Sequence, residues 1–230
     1  MIAAVGSAAQ GHPDSHHPTR AGRVLPEIER YLDARAAEAE QIPSERRALL
    51  DEIAADIRTR LSAGQGVSLL FVCTHNSRRS HISQVWAAAA AAREGLGSVR
   101  TYSGGTESTA FNPRAVAALQ RAGLRIEKTT DDQNPVYHVR YTEHAPPLTC
   151  FSKPFSAAPN PTAGHIAVMV CSEADEACPV VPGAAARYSL PYADPKRSDG
   201  TPQETAAYDE RCAQIAREQA YLWSRAAAHQ

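Results

Sequence analysis

The sequence is poor in features that would declare its class at once. Its 230 residues carry no excess charge of either sign: 24 Lys and Arg stand against 25 Asp and Glu, for a formal net charge of −1. That balance argues against a general nucleic-acid binder, which needs a basic face to neutralise phosphates. No apolar run approaches the ~20 residues that cross a bilayer, so no membrane span is expected. The N-terminus, MIAAVGSAAQGHPDSHHPTRAGR, lacks a basic segment followed by a long apolar core, so no secretory leader is expected. Cysteine is scarce as well. The chain has 5, with no evident disulfide spacing, and this points to a reducing cytoplasm. In that setting a cysteine is buried, metal-bound or reactive rather than structurally paired.

What is present sorts into three regions. Residues 1–24 are rich in Ala, Gly, His, Pro and Ser, have little to bury, and read as a flexible tail. Residues 25–66 read as a helical extension. Ile28, Leu32 and Ala36 share one face of a first helix that Pro26 can begin, and Leu50, Ile53, Ile57 and Leu61 line a second that restarts at Pro43-Ser44. Packing is the only role its pattern suggests. From residue 67 to 230 strands alternate with helices, the signature of βαβ units and an α/β domain built on a parallel sheet. VSLLFV, SVRTYSGG, HIAVMVC and ARYSLPY are its four strands. Between them lie an Ala-rich helix after Ser80, a second helix opened by Pro113 and closed by Gly123, and a long C-terminal helix with Thr201 as its expected N-cap. One stretch, about 134–155, breaks the rhythm. Its β-branched and aromatic residues flank His-Ala-Pro-Pro, which suggests an inserted β-hairpin in an exposed, edge-like position.

The first of those strands stops at Cys73, and the polar turn Thr74-His75-Asn76-Ser77-Arg78-Arg79 leads into the Ala-rich helix at Ser80. A turn between the C-end of a parallel strand and the N-end of a helix directs backbone N–H groups and the positive end of the helix dipole at one point, where a tetrahedral oxyanion fits. The same field favours thiolate over thiol. Arg79, at C-x5-R spacing, can grip two anion oxygens bidentately. Ser80 can donate its hydroxyl to the sulfur, Asn76 can hold a strained turn, and Arg78 either steers anions or faces solvent. The segment thus pairs an anion cradle with a nucleophile at its centre. The plainer alternative is a buried cysteine followed by a polar turn.

VCTHNSRRS resembles the phosphate loop of the low-molecular-weight tyrosine phosphatases and, most of all, of the thioredoxin-coupled arsenate reductases that share their fold. The resemblance covers roughly residues 67–226, interrupted by the hairpin, and implies a four-stranded parallel sheet flanked by helices. It also implies that Asp194, in the late Asp194-Pro195 pair, is the general acid that protonates the leaving oxygen. MVCSEADEACPVVPG resembles the resolving-thiol segment of the arsenate reductases, with Cys171 ending a strand and Cys178 seven residues later. On that reading Cys171 removes the arsenic adduct from Cys73, Cys178 then attacks Cys171, and a thioredoxin-like reductant restores the pair. Lys196 and Arg197 stand where the phosphatases tend to carry aromatic residues for phosphotyrosine, which favours a small oxyanion substrate.

Other readings remain open. A phosphatase would hydrolyse phosphocysteine with water and leave Cys171 and Cys178 incidental or protective; a non-catalytic oxyanion sensor would bind anions and transform none. Zinc at the Cys171–Cys178 pair is disfavoured, because ligand pairs sit closer together; no metal or cofactor is otherwise implied. Two departures from the family pattern stand out. His75 occupies a place usually held by glycine, and Gln84 stands where some arsenate reductases present an acidic residue to potassium. Cys150 and Cys212 fit no catalytic place, and the oligomeric state is not legible.

Overall fold

The computed structural model describes residues 22–178 and 180–228. Up to residue 21 the expected tail lies outside the described residues. The elements run α1 (Pro26–Ala36), α2 (Ser44–Ser62), β1 (Val67–Cys73), α3 (Arg79–Arg93), β2 (Val99–Gly105), α4 (Pro113–Arg121) and β3 (Arg125–Lys128). They continue with β4 (Tyr137–Arg140), β5 (Leu148–Cys150), β6 (His165–Met169), α5 (Ser172–Ala177), β7 (Ala184–Ser189) and α6 (Glu204–Ala227).

β1 reads VSLLFVC, an unbroken apolar run that suits a strand covered on both faces. It pairs in parallel with β2 and with β6, and β6 pairs in parallel with β7, so the main sheet has the order β2-β1-β6-β7. The expected four-stranded parallel sheet is therefore present, with β1 and β6 in its middle. Parallel neighbours need crossovers, and the helices that supply them cover the sheet. α3 is buried from Arg79 to Ala91. Its run of alanines lets α6 pack close, and Trp86, fully buried, stacks on Tyr31 of α1 at 4.9 Å between ring centres.

The N-terminal helices join the same hydrophobic core. Ile28 and Leu32 of α1, and Leu50, Ile53, Ala54 and Ile57 of α2, are buried with the sheet residues, while Ala36 and Leu61 are only partly covered. Each buried Leu or Ile stabilises by roughly 1.5–3 kcal/mol relative to exposure. No described helix is long and apolar enough to cross a membrane.

The hairpin expected at about 134–155 is β4–β5, and it belongs to a larger unit than the sequence suggests. β3 adds to β4 antiparallel, so a second sheet of order β3-β4-β5 stands beside the first. β3 reads RIEK and is largely exposed, so it carries no apolar alternation to betray it. α6 also departs from expectation: it begins at Glu204 after Gln203, and Thr201 instead accepts from the Gln203 N–H and donates to the Ser198 carbonyl in the preceding turn.

Candidate active site

Cys73 is the last residue of β1 and is 3% exposed. The turn after it is organised by its carbonyl groups. The Cys73 carbonyl accepts from the Thr106 amide (3.1 Å), Thr74 from the Glu107 amide (2.8 Å), Ser77 from the Asn112 amide (2.9 Å) and Arg78 from the Ile82 amide (3.0 Å). The His75 carbonyl accepts from the hydroxyls of Ser152 (3.0 Å) and Thr109 (3.2 Å). Among the described residues, the amides of 74–79 donate to no protein acceptor. These carbonyls are held by neighbouring segments, and amides without a protein acceptor are what an anion at this turn would need. Close approach of β2 is possible because Gly105 lacks a Cβ, which would lie 2.7 Å from both the Asn76 nitrogen and the Thr74 oxygen.

The strained residue is Asn76, at φ +43°, rather than His75, whose backbone is ordinary. Asparagine tolerates the left-handed region because its short side chain bonds locally. Asn76 Nδ2 donates to Ser80 Oγ at 2.9 Å, and its Oδ1 accepts from the Lys153 amide at 2.9 Å. Ser80 Oγ lies 3.1 Å from Cys73 Sγ. Since that oxygen already accepts from Asn76, its proton is free to turn toward the sulfur. His75 is half-exposed, 3.6 Å from Glu107.

Both arginines converge on Asp194. Arg78 donates through Nε to Asp194 Oδ1 (2.9 Å), and Arg79 Nη2 lies 2.9 Å from Oδ2. Arg78 is buried, so it does not face solvent. Burial disfavours the charged carboxylate of Asp194, but Arg79, the Lys196 amide and Arg78 outweigh it and hold the pKa below its usual value. Cys73, His75, Ser77, Arg78, Arg79 and Asp194 line one tight cleft, which with Asp194 in place has no room for a water-sized guest. Lys196 and Arg197 are exposed outside it.

Two supports escaped the sequence reading. The first is Ser152-Lys153, on the segment leaving β5, which braces the outer side of the loop at His75 and Asn76. The second is Arg46 of α2. It donates to Glu218 (2.7 Å) and to the Pro191 carbonyl (3.0 Å), and it lies over the Tyr192 ring at 4.6 Å. The Tyr192 carbonyl in turn accepts from Arg79 Nη1 at 3.0 Å. The helical extension therefore reaches the segment that carries Asp194. Neither support has a local signal, because its partners are distant in sequence.

Cys171 follows β6, beside the turn after Cys73, and its Sγ is 3.5 Å from Thr74 Oγ1. Burial pushes its thiol pKa up, against Thr74, the Ala174 amide and Arg79. Cys178 is half-buried at the far end of α5. The structure thus groups Cys73, Thr74, Arg79 and Cys171 but leaves Cys178 across a helix. Cys150 and Cys212 are buried elsewhere with pKa values pushed up to about 12 by burial, and Cys212 accepts from Trp86 Nε1 at 3.2 Å. Gln84 spends its amide donor on the Thr101 carbonyl (3.0 Å), and Ser103 Oγ lies 3.1 Å from His81 Nδ1.

Residues 68–136 match the family model for low molecular weight phosphotyrosine protein phosphatase. An arsenate reductase of Bacillus licheniformis is 28% identical over 147 residues, which is 63% of this chain and 85% of the relative. One of Bacillus subtilis is 28% identical over 144 residues, 62% of this chain and 84% of the relative. The crystal structure of a YwlE mutant from Bacillus subtilis superposes with a TM-score of 0.48 at 16% identity, covering 69% of this chain and 97% of that one. A strand-borne cysteine at the head of a turn whose carbonyls are taken by neighbouring segments thus lies in the stretch that is similar to the low molecular weight phosphotyrosine protein phosphatases, in a chain that is also similar to arsenate reductases.

Proposed function

We propose that the chain is an arsenate reductase that works by a relay of three cysteines. The observation that carries this reading is Cys171: a second buried thiol lies beside the turn that begins at the first, 3.5 Å from Thr74 Oγ1. Hydrolysis has no use for it.

In the proposed sequence arsenate enters the pocket and takes hydrogen bonds from the amides of Thr74 to Arg79 and from the Arg79 guanidinium, displacing the Asp194 carboxylate. Once its arginines face the guest, Asp194 stands against a negative charge and takes up a proton, because a like charge disfavours its ionised form. The Cys73 thiolate, supported by the Ser80 hydroxyl, attacks arsenic. Hydroxide leaves and receives the Asp194 proton as water. Cys171, as thiolate, then attacks the Cys73 sulfur. The sulfur–arsenic electron pair goes to arsenic, which departs as arsenite, while the two thiols become a disulfide. Cys178 attacks Cys171, Cys73 leaves as thiolate, and an external dithiol of the thioredoxin type reduces the Cys171–Cys178 bond. Free thiols in these roles suit the reducing cytoplasm.

The test is the double substitution Cys171→Ser/Cys178→Ser. It is expected to abolish arsenate turnover coupled to thioredoxin oxidation while sparing hydrolysis of an aryl phosphate by Cys73. A double variant that reduces arsenate as fast as wild type overturns the reading. The second reading is a cysteine-dependent phosphatase, favoured by a complete anion cradle that needs no further thiol. Its mark is wild-type aryl-phosphate turnover with no arsenate-driven thiol oxidation.

A further inference from the structure

Two carbonyls in succession, those of Pro191 and Tyr192, are taken by arginines from distant parts of the chain. Arg46 of α2 donates through Nη1 to Pro191 at 3.0 Å, and Arg79, at the start of α3, donates through Nη1 to Tyr192 at 3.0 Å. The rest of Tyr192 is fixed as firmly. Its N–H donates to the Val170 carbonyl at 3.1 Å. Its buried ring lies under the Arg46 guanidinium, and its hydroxyl donates to Glu218 Oε2 at 2.8 Å. Burial and the Glu218 charge push the phenol pKa up, so that proton stays in place. Glu218 Oε1 accepts in turn from Arg46 Nε (2.7 Å) and Gln214 Nε2 (3.0 Å).

The Arg46–Glu218 pair is an indifferent source of stability. Glu218 is buried, and the cost of desolvating two charges offsets much of their attraction. What the pair does supply is direction. Through the Tyr192 ring and the Pro191 carbonyl it sets where the Tyr192 carbonyl stands, and that carbonyl holds one edge of Arg79. Arg79 Nη1 also lies 3.7 Å from Glu173, while Nη2 is on Asp194 at 2.9 Å. With Nη1 spent, the Nε–Nη2 edge is the fork that remains for two oxygens of a guest.

We propose that Arg46 and Glu218, acting through Tyr192, hold the Arg79 guanidinium by its Nη1 side so that its other edge stays aimed into the anion pocket when a guest displaces Asp194. The inference rests on the anion-pocket part of the proposed function, which the reductase and phosphatase readings share. A long side chain released by Asp194 would otherwise follow the carboxylate; the tie to Tyr192 fixes the fork beforehand, so little reorganisation is needed as the anion arrives. It also gives the helical extension a role beyond packing, since Arg46 lies outside the stretch 68–136 that matches the phosphatase model. Arg46 and Glu218 do not line the pocket, so they are positioning residues.

The decisive experiment is a cycle. Arg46→Met/Glu218→Gln, which removes both charges so that neither is left buried alone, is made in the natural chain and in Arg79→Lys. Affinity for inorganic phosphate and hydrolysis of an aryl phosphate are measured below all unfolding transitions. With Arg79 present, the pair of changes is expected to weaken phosphate binding about tenfold and to slow hydrolysis by a similar factor. In the Arg79→Lys background it should alter each by less than twofold, because residues that act through one partner are not additive. Phosphate affinity within twofold of wild type, or an equal loss in both backgrounds, overturns the inference and leaves the pair a packing feature. Should the double variant fail to fold, Tyr192→Phe, expected to weaken phosphate binding about fourfold with Arg79 present, decides by the same criteria. A wild type that neither binds phosphate nor hydrolyses the ester sinks the anion pocket and the inference together. A wild type that does both, matched by its variants, sinks the inference alone.

Discussion

The turn Thr74–Arg79 and the helix α5 each come after a cysteine at the end of a central strand, yet they are held in opposite ways. The turn is secured by many partners. Its carbonyls are taken by Thr106, Glu107, Thr109, Asn112 and Ser152, and Asn76 is pinned on both sides of its amide. α5 is secured by one sulfur at its start, by two β7 side chains and by an ion pair of Glu173 with Arg79 at 3.7 Å. A site that must meet an anion with its dipoles already aligned gains from rigidity, since no reorganisation is then needed when charge arrives. A segment that must bring a thiol to its neighbour gains from low local stability. On the proposed function, similar strand ends would serve two purposes, according to how many outside groups grip the residues beyond the cysteine.

A rigid turn and a loosely held helix should respond differently to substitution. Arg79→Lys should have the largest effect. It keeps the charge but loses the planar fork, so the first chemical step should fall by about 10²–10³-fold, measured as aryl-phosphate hydrolysis. A drop below threefold would show that the fork is not what holds the anion.

Asn76→Ala should come next. It leaves the buried Lys153 amide without its acceptor, and unpaired buried groups cost about 1–3 kcal/mol. Urea unfolding should show that loss, and phosphate affinity should fall with it, since a rigid turn has been loosened. Unchanged phosphate affinity would mean that the turn does not need its brace.

The smallest expected effect is on pH dependence. The folded pKa of Asp194 lies below its ordinary value because Arg79, the Lys196 amide and Arg78 outweigh its burial. A group depressed on folding contributes stability above its unfolded pKa, ~3.9 for Asp, and that contribution is lost as the pH falls through the folded value. Asp194→Asn should therefore lower the melting temperature at pH 7 and flatten its decline in acid. Parallel curves for the two proteins would show that the ion pairs add nothing to folding.

Much of the site can be read along the chain because it lies in one short segment. Cys73, Asn76, Arg79 and Ser80 fall within a single strand-turn-helix, where alternation, turn chemistry and alanine's helix preference act over a few residues. The Cys171–Cys178 spacing is legible for the same reason. β3 is not, because a four-residue strand of mostly charged, exposed residues has no pattern apart from its partner β4. His75 stands where the resembled families usually have glycine, but the residue that takes the left-handed conformation is Asn76, and sequence order alone does not reveal which residue of a turn does so.

Residue types and local patterning were enough to set out the βα order and to single out Cys73, the polar turn after it and the Cys171–Cys178 pair as candidates. The folded chain was needed to learn which carboxylate faces the paired arginines, which amide braces Asn76 and which side chains grip α5. Arg78 and Asp194 are 116 residues apart, and Asn76 and Lys153 are 77 apart. Such pairs meet because burying both faces of the parallel sheet sets the strand order, which places β7 beside β6 and brings the second sheet's exit alongside β2.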